Sequence, residues 1–218
     1  MSMNRTYAVF GLGRYGRAVA EELVKSGAEV IAIDENEEYV NDASAVIPIC
    51  KCADITDSEV VEKLGIANVD VVIVAMASNL EASVMAVTLC KEVGVPMVIA
   101  KCSNELHQKI LSRVGADRVV FPEKESGTRL AKNILSSGFA DLIELSEDIS
   151  MVELDVKTDW EGKTLLQLDL RKKYSMNVVA IRKGEAVVTD IDPQMPLEKE
   201  MKLIVIANVE RLNRCYTG

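Results

Sequence analysis

The chain has 218 residues and a mass of 23.9 kDa, a length between one domain and two, since domains run about 100 to 150 residues. With 49% hydrophobic and 27% charged residues it can bury a full core, which excludes disorder as the dominant state. The 25 basic and 34 acidic residues leave a net charge of −9, so a face for nucleic acid would have to be built against the field of the whole molecule. No run approaches the roughly 18 apolar residues of a spanning helix, and MSMNRTYAVF lacks the apolar stretch of a secretion signal. The expectation is a soluble chain without direct membrane insertion.

From residue 6 to 121, short β-rich runs alternate with helical stretches. The runs are Thr6–Phe10, 29–33, 46–50, 71–75, 97–100 and 118–121, the pattern of a doubly wound parallel sheet covered on both faces. Helices are expected over 15–26, 80–93 and 105–114, with Gly27, Gly94 and Gly115 as C-terminal stops. After Pro122, EKESGTRLAKNILSSGF reads as a further helical segment with Leu130, Ile134 and Leu135 on one side and Gly138 at its end.

Beyond Ala140 the pattern changes to strands over 151–156, 177–183, 185–188 and 202–207, with a hairpin turn at Lys183-Gly184 and a loop marked by Pro193 and Pro196. This predicts a second, small α+β domain. From Phe139 onward 11 basic residues face 15 acidic ones, so it hides no basic module. Of Cys50, Cys52, Cys90, Cys102 and Cys215, four sit within or beside apolar runs, which points to buried reduced thiols. One residue separates Cys50 from Cys52, and no second pair with His follows at zinc-site spacing.

Directly after the first strand stands Gly11-Leu12-Gly13-Arg14-Tyr15-Gly16, a full GxGxxG opening a helix. Such glycines allow a tight turn, close approach of backbone to phosphate, and helix-to-strand packing, while the helix N-terminus offers its amides to an anion. The second strand ends in Asp34, 21 residues after Gly13, the spacing of an acid that accepts hydrogen bonds from ribose hydroxyls. An acid there disfavours a 2′-phosphorylated nucleotide. Arg14, inside the phosphate loop, either reaches a terminal phosphate or is a solvated surface cation. Asp54 lies at the edge where such sheets bind ligands and either accepts from an adenine amino group or forms a turn, while Asp57 or Ser58 caps the next helix. Ser78 and Asn79, after the fourth strand, are ligand-edge residues or a helix cap. His107 is the only histidine and lies on a helix. No nucleophile elbow, paired-carboxylate site or metal-ligand helix accompanies it. The sequence describes a binding pocket without evident chemistry.

The strings GLGRYGRAVA, Asp34, ADITD and KCSNELHQKILSRVGADRVVFPEKESGTRLA resemble the regulator of potassium conductance (RCK) family, more narrowly its TrkA and KtrA type. MVELDVKTDWEGKTLLQLDLRKKYSMNVVAIRKGEAVVT, the proline loop and KLIVIA are similar to that family's C-terminal domain. The resemblance implies a Rossmann-like nucleotide-binding domain over 4–138, including a crossover helix over 123–138, and a C-terminal domain over 146–218. It implies a cytoplasmic, non-enzymatic regulatory subunit, peripheral at the inner face of the membrane, that dimerises through 123–138 and forms rings of eight beneath a TrkH- or KtrB-type potassium channel.

In KtrA-type members the ligand is ATP or ADP. Arg14 then matches an arginine that reaches the terminal phosphate from the neighbouring subunit, and Glu123 an acid that helps hold a divalent cation at the phosphates. TrkA-type members bind NAD or NADH at the same glycines. Tyr15, Ile55 and Lys101 complete the candidate set. Asn177 and Arg182 resemble positions that bind cyclic di-AMP in some relatives, with a hairpin strand and a solvated Arg as the other reading. Two further functions compete: an NAD-dependent oxidoreductase, although no His follows Ser146, and a redox-sensing repressor, although neither half carries a basic winged helix.

Overall fold

A computed structural model describes residues 5–135, 139–146, 148–208 and 212. The chain divides into two compact units, Met1–Lys124 and Glu125–Gly218.

The first unit contains β1 (Thr6–Phe10), α1 (Arg14–Lys25), β2 (Glu29–Asp34), α2 (Glu37–Ala43), β3 (Ile49–Cys52), α3 (Ser58–Lys63), β4 (Val71–Val74), α4 (Leu80–Glu92), β5 (Met97–Lys101), α5 (Glu105–Arg113) and β6 (Arg118–Val120). The strands form one parallel sheet in the order β3, β2, β1, β4, β5, β6. The order reverses between β1 and β4, which opens a crevice at the C-terminal strand ends. All four residues of β4 are buried: Val72 and Val74 pack into one core, Val71 and Ile73 into the other. That double burial is why the strand reads as a continuous apolar run. The Asn36, Asp57, Asn79 and Asn104 side chains each accept a backbone amide at the start of α2, α3, α4 and α5. Gly27, Gly94 and Gly115 stand just past helix ends with positive φ, as expected of stops.

The chain continues into α6 (Pro122–Leu135), β7 (Phe139–Glu144), β8 (Ile149–Asp155), α7 (Leu165–Leu168), α8 (Leu170–Tyr174), β9 (Asn177–Lys183), β10 (Ala186–Val188) and β11 (Met201–Asn208). These strands form an antiparallel sheet ordered β10, β9, β11, β8, β7. Along β11, Met201, Leu203, Val205 and Ala207 are buried and alternate with half-exposed residues, the period of a sheet with one face on its core. Trp160, Leu168, Leu170, Met176 and Leu197 fill that core. Gly184, at φ +59°, turns the β9–β10 hairpin where expected. Among the described residues, no helix is long and apolar enough to cross a membrane.

The structure corrects several expectations. The third strand begins at Ile49, because Pro48 has no N–H and the Val46 and Ile47 amides close α2 on the Ala43 carbonyl. Phe139, expected at the end of a helical segment, opens β7, whose irregular pairing with β8 between Phe139 and Leu142 obscures the strand period. Leu130 and Ile134 of α6 are exposed. Cys90 and Cys102 are buried and Cys50 is half-buried, but Cys52 is exposed, its Sγ 3.4 Å from the Glu35 carbonyl oxygen. Gly138 and Cys215 lie outside the described residues.

Burial pushes the Cys90 thiol up to about 12, so the folded chain keeps it neutral where an unfolded chain would ionise it. A water-soluble thiol reagent at pH 8, followed by peptide mapping, is expected to label Cys52 in the native protein and Cys90 only after unfolding. In the second unit, Leu203→Ala removes a fully buried side chain and is expected to cost about 2 to 5 kcal/mol in a denaturant titration of that unit.

Candidate nucleotide site

The site is built from the glycine loop outward. The Gly11 amide donates to the Ile33 carbonyl at 2.8 Å, and Gly11 turns the chain at φ +90°. A Cβ on Gly16 would lie 1.9 Å from the Gly11 carbonyl oxygen, and one on Gly11 would lie 2.7 Å from Met76 Cγ. Both glycines are demanded by contact, Gly16 for packing the helix on the loop. Gly13 has open space around it and N-caps α1, which has neither a capping side chain nor an acid in its first turn. That end therefore directs the positive end of the helix dipole outward, a setting that favours an anion.

Asp34 Oδ2 accepts from the Leu12 amide at 2.6 Å, and Oδ1 from the Asn36 amide at 2.8 Å. The carboxylate thus ties the glycine loop to the end of β2, with lone pairs left for a ligand. A cavity of about 330 Å³ opens here, and Gly11, Gly13, Asp34, Asp54, Ile55, Ser78 and Asn79 line it. Its described lining contains no Lys or Arg, so a phosphate on the ribose would lie beside carboxylates with no cation in the lining to offset them.

Asp54 forms the expected turn, accepting from the Thr56 hydroxyl at 2.7 Å and the Thr56 amide at 2.9 Å. Those two bonds lower its pKa, and the ionised group still faces the cavity. Asn79 likewise caps α4, taking the Ala82 amide at 3.0 Å, while lining the cavity. The cavity also uses Glu35, Asn36, Tyr39, Thr56 and Met76. Their signal in the sequence is position alone: each follows closely after the C-terminal end of β2, β3 or β4.

Arg14, Tyr15, Gly16, Lys101 and Glu123 do not line this cavity. Arg14 is exposed in the first turn of α1 and has no ion-pair partner among the described residues. Lys101 Nζ lies 2.7 Å from Glu123 Oε1 and 5.3 Å from the Tyr15 ring centroid. The bridge joins the end of β5 to the first turn of α6, with the ring of the glycine loop beneath the cation. Lys101 holds the Glu123 carboxyl below the usual range. His107 is half-buried, its Nδ1 2.9 Å from Ser103 Oγ.

The second unit holds its own cavity of about 400 Å³, lined by Asn177, Leu166, Asp169, Arg171 and Pro193 among others. Arg182 is not there. Its Nε lies 2.6 Å from Glu153 Oε2 on the neighbouring part of the sheet, where Lys202 also pairs with Glu153 at 3.1 Å. The Arg182 side chain is thus paired with an acid while remaining 39% exposed, more constrained than a freely solvated arginine.

A parallel sheet whose first turn is a glycine loop, with an acid at the end of the second strand and a cavity at the switch point, defines a Rossmann-type nucleotide-binding domain. Residues 7–122 match the TrkA-N domain and residues 149–216 the TrkA-C domain. The chain is 39% identical over 212 residues to Ktr system potassium uptake protein C of Bacillus subtilis (strain 168), covering 97% of this chain and 96% of that one. It is 32% identical over 209 residues to Ktr system potassium uptake protein A of Vibrio alginolyticus, covering 96% and 95%. In fold it is similar to the GsuK channel, with TM-score 0.69 and 16% identity, over 99% of this chain and 39% of that one. The chain belongs to the RCK family, in its TrkA and KtrA branch.

Gly16→Ala is expected to force the loop off the helix and lower the melting temperature by several degrees, an overpacking cost of about 1 to 3 kcal/mol. For Glu123 the sign follows from its lowered pKa. The bridge adds stability above the ordinary carboxylate value of 4.5 and loses it as the pH falls through the folded value. Thermal melts below pH 4.5 are therefore expected to show a shallower acid limb in Glu123→Gln than in the wild type.

Proposed function

We propose that the chain is the regulatory, non-enzymatic subunit of a potassium uptake system, gating a membrane channel subunit of TrkH or KtrB type by binding a nucleotide without turning it over. The observation that carries the reading is the cavity itself: a glycine loop, a helix end without a capping side chain and an acid at ribose spacing, within a chain related to Ktr uptake proteins over nearly its whole length. A ligand shifts a two-state equilibrium only by its differential affinity for the two states. Binding is therefore sufficient for control, and no hydrolysis is required.

The finer reading is ATP against ADP, with NAD and NADH as the alternative. Arg14 supports it, because an exposed cation in the first turn of α1 without a partner among the described residues is free to pair with a terminal phosphate, including one held by a second copy. Assembly as a dimer and then a ring of eight fits that use. Glu123 is 61% exposed and already holds an ammonium. Among the described residues no three His, Cys, Asp or Glu gather as a metal site. A divalent cation at Glu123 thus fits only with the nucleotide's phosphates as further ligands. The chain would act in the cytoplasm, at the membrane through its partner. A second ligand, a cyclic dinucleotide such as cyclic di-AMP, would use the cavity at Asn177 and Arg171.

Calorimetric titration of ATP, ADP, NAD and NADH, with and without divalent cation, tests the reading. ATP and ADP are expected to bind more tightly than NAD and NADH, and Arg14→Ala to weaken ATP about tenfold more than ADP. Tighter binding of NADH with no effect of Arg14→Ala would select the NAD reading. Turnover of any of the four would overturn the non-enzymatic role.

A further inference from the structure

We propose that Tyr39 is the base-stacking residue of the cavity, its ring forming one wall of an adenine slot. The inference deepens the nucleotide reading above and rests on it. Tyr39 lies in the first turn of α2, a helix whose buried residues are Val40 and Ala43. One position ahead of Val40, its side chain is turned about 100° away from the core-facing stripe. It is 45% exposed yet lines the cavity. No hydrogen bond to its phenol is found among the described residues, so the ring is not held out for the sake of its hydroxyl.

The approach to the ring is fixed. Asn36 donates its amide to Asp34 Oδ1 at 2.8 Å, and its own side chain accepts the Glu38 amide at 2.9 Å. Two hydrogen bonds therefore lock the path from the ribose acid to the helix turn that carries Tyr39. The same lining includes Ile55, 4% exposed and part of the apolar core beneath, and Asp54, an ionised acceptor. A flat aromatic face, an aliphatic face and a carboxylate make a slot for a planar heterocycle that carries an amino group. A purine is recognised in this way by stacking on its π-face, with the amino group donating to the acid. Because Tyr39 works on the base and not on the phosphates, it sets affinity without setting the discrimination between triphosphate and diphosphate.

The test is calorimetric binding of ATP and ADP to the full chain and to Tyr39→Ala, Tyr39→Phe and Asp34→Ala, with fluorescence of Tyr39→Trp recorded against the wild type as the Trp160 background. Tyr39→Ala is expected to weaken ATP and ADP by the same factor, about tenfold, and to leave the melting temperature of the unliganded protein unchanged. Tyr39→Phe is expected to bind as the wild type does, and the new indole of Tyr39→Trp to be quenched by either nucleotide. Unchanged affinity in Tyr39→Ala, with Asp34→Ala still weakened, overturns the stacking role and leaves the nucleotide reading standing. A wild-type chain that binds none of ATP, ADP, NAD and NADH overturns both. A change in the ratio of ATP to ADP affinity in Tyr39→Ala would assign the residue to the phosphates and overturn the proposal as well.

Discussion

The ligand edge of the first unit depends on one steric constraint, the absence of a side chain at Gly16. With a Cβ only 1.9 Å from the Gly11 carbonyl oxygen, no relaxation of a flexible tip would restore the contact, because the opposing atom is backbone. That contact lets α1 begin directly after the end of β1. Asp34 closes the arrangement from the other side through the Leu12 amide. The geometry that welcomes a phosphate is thus formed before any phosphate arrives.

Residues that serve the fold here also serve the site. Asp54 and Asn79 each make a local turn or cap and still present a polar atom to the cavity. Turn formation and exposure to the cavity are not exclusive: the local hydrogen bond orients the group and leaves oxygen capacity on the cavity side. The Tyr15, Lys101 and Glu123 cluster is similar in kind. It links the loop, the end of β5 and the start of α6 through one ammonium.

Much of this was legible in the sequence, and for physical reasons. Strands buried on both faces, such as β4, announce themselves as unbroken apolar runs, and a glycine loop followed at fixed spacing by an acid leaves few alternatives. The missed features depend on partners distant in the chain. β7 has no clean period because its pairing with β8 is irregular. The third strand was displaced by a proline whose effect is felt only once α2 is closed. A sequence reading of Arg182 cannot see Glu153, which lies 29 residues away in sequence and 2.6 Å away in space. Tyr39 was silent because an aromatic in a short helix is more often core than wall, and only the burial of Val40 separates the two.

The double use of Asp34 has a kinetic consequence. A loop already tied down by its own carboxylate loses little conformational freedom when a ligand enters, so recognition needs no slow ordering step. Entry should then proceed at much the same rate for every nucleotide that fits. Related ligands of one such site differ chiefly in how quickly they leave. Differences in affinity among nucleotides that fit would therefore be read chiefly in their residence times.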